Sequence, residues 1–206
     1  MEWDLGMPWY RPVRVCHVTS GSEFGWRTGS GKWPKYYPDN LPGILEVGQG
    51  SPTGIVSAAA GHFPPPYNGG LFVCDWSFGT MYHIKLQSSG ASFTATASEF
   101  LNGVPLPLTD VTFGAEGAMY FTTGGRRLES GLYRVWSKKN DQKKEKETAS
   151  KKLKLRRLLD AFHDTSLVAD YDLIWENIGN KDRYIAFSAR IALENHGVEK
   201  WASHMN

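Results

Sequence analysis

The residues best placed to do chemistry are few, and most belong to motifs that stop short. Cys16-His17 supplies the last two residues of a Cys-x-x-Cys-His haem attachment site. Val13 stands where the first cysteine must be, so the chain carries no covalent haem. Gly29-Ser30-Gly31-Lys32 has the outline of a phosphate loop, but Trp26 and Trp33 occupy the first-glycine and Ser/Thr positions, which leaves a turn. The six histidines show no metal-binding spacing such as His-x-x-x-His on a helix. His17, His62 and His83 lie in or beside strand-like segments, where structural hydrogen bonds are expected. Asp75-Trp76 closes such a segment and reads as a cap or core pair, with a ligand role as the alternative. Trp33, Tyr36 and Tyr37 sit in a Pro-flanked loop. Their aromatic faces suit the C–H groups of a sugar ring; the other reading is a surface loop packed onto the fold. No residue is assigned a catalytic role.

The elements that would hold these residues belong to a folded chain. Of 206 residues, 41% are hydrophobic and 21% charged, with 22 Gly, 11 Pro and many aromatics: too apolar for disorder, too loop-rich for a helical bundle. A net charge of +2 excludes a charge-driven nucleic-acid or anionic-lipid binder, which needs a clustered basic face. No run reaches the roughly 20 apolar residues of a membrane span. Residues 1–20 lack the order of a signal peptide, so the protein is cytosolic or its start is missing. Two cysteines, Cys16 and Cys74, are too few for a disulfide framework; a bridge between them is left open.

Two segments share a pattern. Gly70-Leu71-Phe72-Val73-Cys74-Asp75-Trp76 is followed by an alternating run from Gly79 to Leu86, and Gly117-Ala118-Met119-Tyr120-Phe121-Thr122 by Gly131-Leu132-Tyr133-Arg134-Val135. Each is a short apolar strand, a turn containing Gly, then an alternating strand. The copies lie about 48 residues apart, in the range of propeller blades. A weaker third copy runs from Arg14 to Trp26. The fold class expected is mainly β: a partial β-propeller of about two to three blades over residues 1–136. Closure takes at least four blades. The chain is therefore expected to be an internal piece of a larger protein, or to be completed by another chain. Gly124-Gly125-Arg126-Arg127 stands where a propeller loop would face the central channel, so Arg126 is a candidate for holding an anionic ligand, against a solvated hairpin arginine.

Composition changes near Ser137, and residues 137–152 form a Lys/Glu-rich linker or exposed helix start. Residues 153–206 are expected to be α-helical. Leu155, Leu158, Leu159 and Phe162 fall at i, i+3, i+4 and i+7; a short helix covers Asp170 to Asn177. A third helix starts after Asn180 as N-cap and ends by Gly197, with Ile185, Ala189, Ala192 and Leu193 in one stripe. Short helices in series suggest the start of an α-solenoid.

Gly21-Ser22-Glu23-Phe24-Gly25-Trp26-Arg27 resembles a Gly-x-Asn-Tyr-Gly-Trp-Pro turn of the soluble glucose/sorbosone dehydrogenase propellers. Pro52-Thr53-Gly54-Ile55 with Phe63-Pro64, Tyr67 and Gly70-Leu71-Phe72-Val73 resembles the next blade of that family. Thr109-Asp110-Val111 with Glu116-Gly117-Ala118-Met119-Tyr120 resembles its Arg-Asp-Val…Asp-Gly-Ala-Leu-Tyr blade. Asp182-Arg183-Tyr184-Ile185 with Ala189-Arg190-Ile191-Ala192-Leu193-Glu194 is similar to the first HEAT-like repeat after such a propeller in large predicted dehydrogenases of Planctomycetes and Verrucomicrobia, where a c-type cytochrome segment usually follows. The resemblance implies hydride transfer from a sugar or alcohol to pyrroloquinoline quinone beside a calcium ion, with export to the periplasm. It also implies partners in the remaining blades and the cytochrome segment. The family's catalytic His would lie upstream of Met1. Pro107-Leu108-Thr109-Asp110-Val111 replaces both arginines of the family's Arg-x-Arg-Asp-Val motif, removing the expected bidentate partners of a tricarboxylate cofactor. The family's calcium turn would fall at or just before Glu2-Trp3-Asp4, making Glu2 and Asp4 candidate oxygen ligands.

Two functions are carried forward. One is a fragment of a propeller-type dehydrogenase; the other is a degenerate, non-catalytic propeller that binds a glycan or a protein.

Overall fold

The computed structural model describes residues 12–27, 31–32, 36–138 and 149–205, with backbone pairing alone at 26–27 and 31–32. Glu2, Asp4, Trp33 and linker residues 139–148 lie outside the described residues. Strand outweighs helix, 34% against 24%, so the chain is mainly β, and its sheets are antiparallel. It divides into two units. Of the described residues, those within 1–15, 44–87 and 94–147 form the first, and those within 16–43, 88–93 and 148–206 the second.

In the first unit, β1 (Val13–Val15) pairs with β4 (Leu45–Gly48), Val15 opposite Leu45. Next comes a four-stranded sheet in the order β5 (Pro52–Ser57), β6 (Leu71–Asp75), β7 (Thr80–Ser89), β8 (Ser92–Asn102). The tip of the β7–β8 hairpin counts with the second unit. The third sheet has three strands: β9 (Leu108–Phe113), β10 (Met119–Gly125) and β11 (Leu128–Val135), with β10 in the middle.

The repeat seen in the sequence has a backbone cause. Gly70 and Gly117, which open β6 and β10, both hold positive φ, +82° and +75°, a conformation that other residues adopt only under strain. A Cβ on Gly70 would also sit 2.1 Å from the Ile84 carbonyl oxygen, so a side chain is excluded twice over.

Alternation then sends one set of side chains into a shared core. Phe72, Cys74 and Met81 from the four-stranded sheet meet Leu108, Val111, Met119 and Phe121 from the three-stranded one. Phe72 is fully buried among the rings of Phe63, Phe100 and Phe113, with Phe100 at 4.7 Å, edge to face. Gly54 lets the sheets approach, because a Cβ there would lie 3.0 Å from the Asp110 Cα. Thr53 Oγ1 donates to the Leu108 carbonyl at 2.9 Å, and Trp76 Nε1 to that of Gly124 at 2.8 Å. On the other face of the four-stranded sheet, Val13 and Val47 meet Val73 and Tyr82 around a residual void of only about 10 Å³.

The weak third copy is a correction. Arg14–Val15 pairs with β4, not with a neighbouring hairpin arm, and β2 (Trp26–Arg27) pairs with β3 (Gly31–Lys32). A two-on-two match of short strands is not a repeat of the longer hairpins.

The second unit packs α1 (Lys151–Ala161), α2 (Tyr171–Asn177) and α3 (Arg183–Asn195) around Leu41, Leu159, Ile174, Ile185, Ala189, Ala192 and Leu193. Three details depart from expectation. Asp182 caps α3, its carboxylate accepting from Tyr184 N, while Asn180 supports it by accepting from Asp182 N at 2.8 Å. Gly197 has φ of −61°, so no left-handed glycine closes that helix; His196 N donates to the Leu193 carbonyl instead. Leu158 is exposed, because α1 begins at Lys151 and the inward face runs through Leu153, Arg156 and Leu159. The guanidinium of Arg156 is buried, its Nε donating to the Ala91 carbonyl at 3.0 Å and its Nη1 paired with Asp160.

Candidate binding face on the third sheet

Most of the polar residues singled out in the sequence turn out to hold the fold together. Asp75 is buried, and its Oδ1 accepts from the backbone N–H of Ser51, Ser77 and Phe78, closing the turn between β6 and β7. His83 is buried and bonds the Gly69 carbonyl at 2.7 Å. His62 lies against Gly117, whose carbonyl accepts from the His62 N–H. In the second unit, His17 bonds Ser92 Oγ at 2.9 Å and stacks on Tyr184. Cys16 and Cys74 are both thiols. Burial first, and the charge of Asp110 second, push the Cys74 thiol up to about 12, so it is inert near neutral pH.

The candidate ligands among the described residues belong to different units. Arg126 is exposed at the β10–β11 turn in the first unit. Tyr36 and Tyr37 belong to the second. They stand edge to face at 5.0 Å, Tyr36 is 78% exposed, and the Tyr37 carbonyl accepts from Arg183. Among the described residues no three His, Cys, Asp or Glu side chains gather as a metal site would require. None of their helices is long and apolar enough to cross a membrane.

What sequence reasoning missed lies along β11. A cleft of about 350 Å³ and a broader, shallow depression of about 580 Å³ adjoin and share Thr123 and Ser130. The smaller is walled by Leu106, Leu128 and Tyr133 with Glu129 at its rim. The larger is lined by hydroxyls and glycines, including Thr109, Thr122 and Gly131, and by Leu132. Tyr133 stacks on Phe121 with centroids 5.0 Å apart, yet remains 48% exposed.

Beside the clefts the β11 surface is braced by charge. Glu116 accepts from Tyr120 OH at 2.5 Å and pairs with Arg134 at 3.5 Å. The Arg134 guanidinium stands 5.3 Å from the ring of Trp136 and 5.9 Å from that of Tyr120. The Tyr120 hydrogen bond holds the Glu116 carboxyl below its ordinary range and raises the Tyr120 phenol above its own. Leu132 and Trp136 are 71% and 61% exposed. Alternation over residues 131–135 was legible, but exposure of both faces depends on what covers the strand.

No protein-family model matches the chain, and no curated protein matches it at a significant level.

Proposed function

We propose that this chain is a recognition module that binds a protein partner along β11, the degenerate-propeller reading. One observation carries it. Among the described residues the third sheet is covered on one face only; its open face displays Leu132 and Trp136 around the braced Arg134, while Tyr133, on the Phe121 side, is exposed at the β11 edge. Trp, Tyr and Arg are the residues that most often dominate binding energy, and large exposed apolar side chains in one place mark interaction surfaces. The shallow hydroxyl- and glycine-lined surface beside them suits main-chain hydrogen bonding. The test is site-specific photo-crosslinking in an extract of the native host, with the probe placed in turn at Leu132, Trp136 and, as a control in the second unit, Tyr36. The expected result is one adduct of the same mass from Leu132 and Trp136, absent from Tyr36 and abolished by excess unlabelled protein. No adduct at either β11 position would sink the proposal.

A second reading, the propeller-type dehydrogenase, is favoured by the serial face-to-face packing of the β1–β4 pair, the four-stranded sheet and the three-stranded sheet, an arrangement that blades adopt. In that reading the sheets are blades, the helices begin a HEAT-like array, and the protein works in the periplasm with pyrroloquinoline quinone and calcium. Reconstitution with both, followed by dye reduction with aldoses, tests it. Absence of both cofactor binding and turnover removes it.

A further inference from the structure

The two larger sheets are built on one plan, and one of them lacks a strand. β6 and β10 are corresponding strands, each opened by a positive-φ glycine, and β7 and β11 follow them. In the first of these sheets β8 lies beside β7 and completes it. There Phe100 of β8 closes the core, with Phe72 at 4.7 Å, Tyr67 at 5.0 Å and Phe63 at 5.8 Å. In the second, β11 ends the sheet, and among the described residues nothing pairs with its outer side. An edge strand presents a row of unmatched N–H and C=O groups, a template for another strand. The socket walled by Leu106, Leu128 and Tyr133, about 350 Å³, is roomy enough for an aromatic ring.

From this the geometry points to β-strand addition: the partner contributes an extended segment that lies antiparallel beside β11 as a fourth strand, with one apolar side chain seated in the Leu106–Leu128–Tyr133 socket. This rests on the recognition reading above and names its mode. Charge sets the direction of the preferred segment. Arg126 and Arg127 project at the β10–β11 turn, just before Leu128. An antiparallel strand brings its C-terminal end to that turn, so a segment that is acidic at its C-terminal end is favoured. Arg127 holds φ of +64°, the left-handed position that Gly79 occupies in the β6–β7 turn, so a cation stands where the sister turn has none.

The strand that fills this place in the sister sheet supplies the probe. A fluorescent peptide copying residues 94–102, with a free C-terminal carboxylate, is titrated into the full chain. Binding with a dissociation constant below about 1 mM is expected, together with slowed hydrogen exchange of the β11 amides. The same peptide with Ser98→Pro, which removes a ladder donor, loses binding by about tenfold or more. Leu128→Asp in the protein, at an exposed position, weakens binding by a similar factor without lowering the melting temperature, and R126E with R127E weakens it severalfold at low salt only.

No binding at about 1 mM overturns strand addition, as does binding indifferent to proline. If the peptide fails while adducts persist at Leu132 and Trp136, the partner docks on the face, and only the strand-addition mode falls. If the peptide binds as expected while no host adduct forms, the edge is competent for strands but the recognition reading fails.

Discussion

The four-stranded sheet β5–β8 and the three-stranded sheet β9–β11 carry the same repeat but live in different surroundings. The first is covered on both faces, by β1 and β4 on one side and by β9–β11 on the other, so Val73 and Ile84 are buried just as Phe72 and Met81 are. The second buries Val111, Met119 and Phe121 on one face and leaves Leu132, Arg134 and Trp136 on the other. The same local pattern therefore makes structure in one place and surface in the other. Position in the stack, not strand sequence, decides which residues are available to a ligand.

The largest test of that contrast is truncation on a covered face against truncation on the open one. Phe72→Ala removes a fully buried ring from an aromatic cluster and is expected to lower stability by about 3–5 kcal/mol. Leu132→Ala, on the open side, is expected to change it by less than about 0.5 kcal/mol. Urea denaturation of both variants decides: comparable losses would mean the third sheet is covered after all.

Next in size is the turn at the end of β6. Asp75→Asn keeps one acceptor oxygen, while Asp75→Ala leaves the Ser51, Ser77 and Phe78 N–H groups without it, at an expected cost of about 1–3 kcal/mol. A loss as large for Asn as for Ala would point to the charge instead of the hydrogen bonds.

Alkaline titration separates the sheets by cause. Burial first, then the charges of Asp75 and Glu99, raise the Tyr82 phenol; on the third sheet the Glu116 hydrogen bond raises Tyr120. For a phenol whose folded value exceeds its unfolded one, the stabilisation is complete below the unfolded value, about 10, and is lost as pH rises through the folded value. Tyrosinate absorbance should therefore show Tyr82 and Tyr120 ionising late, and Glu116→Gln should bring Tyr120 back toward the ordinary range while leaving Tyr82 unmoved. Movement of both would couple two environments that the geometry keeps apart. Cys74 extends the same test: the native chain should show no reaction of this thiol with a disulfide reagent at pH 8 until it is unfolded.

The smallest expected effect is at the β10–β11 turn. Arg127→Gly relieves a left-handed non-glycine residue and should stabilise by no more than about 1 kcal/mol, less the extra freedom glycine gains when unfolded. A loss of stability would show that the Arg127 side chain holds the turn.

Much of the frame was legible in the residues. The run from Gly70 to Trp76 and its partner from Gly117 read as strands because alternation and turn glycines are local signals, and β6, β7, β10 and β11 lie over those segments. The stripe Ile185, Ala189, Ala192, Leu193 is buried in α3 for the same reason. Boundaries were less legible, since Asp182 and Asn180 are both good caps and only the chain path chose between them. The candidate face was not legible at all: Leu128, Leu132 and Trp136 are ordinary strand-type residues until the structure shows what leaves them uncovered.

By itself, then, the sequence determined the period of the main strands and helices and the failure of the haem and phosphate motifs, because each follows from bonds or sterics within a few residues. The tertiary structure alone gave Asp75 and His83 their particular partners, put Tyr36 and Tyr37 in a different unit from Arg126, and left β11 an open side among the described residues. Those outcomes depend on which surfaces, distant in the chain, come into contact, and burial is a property of that contact and not of the residue.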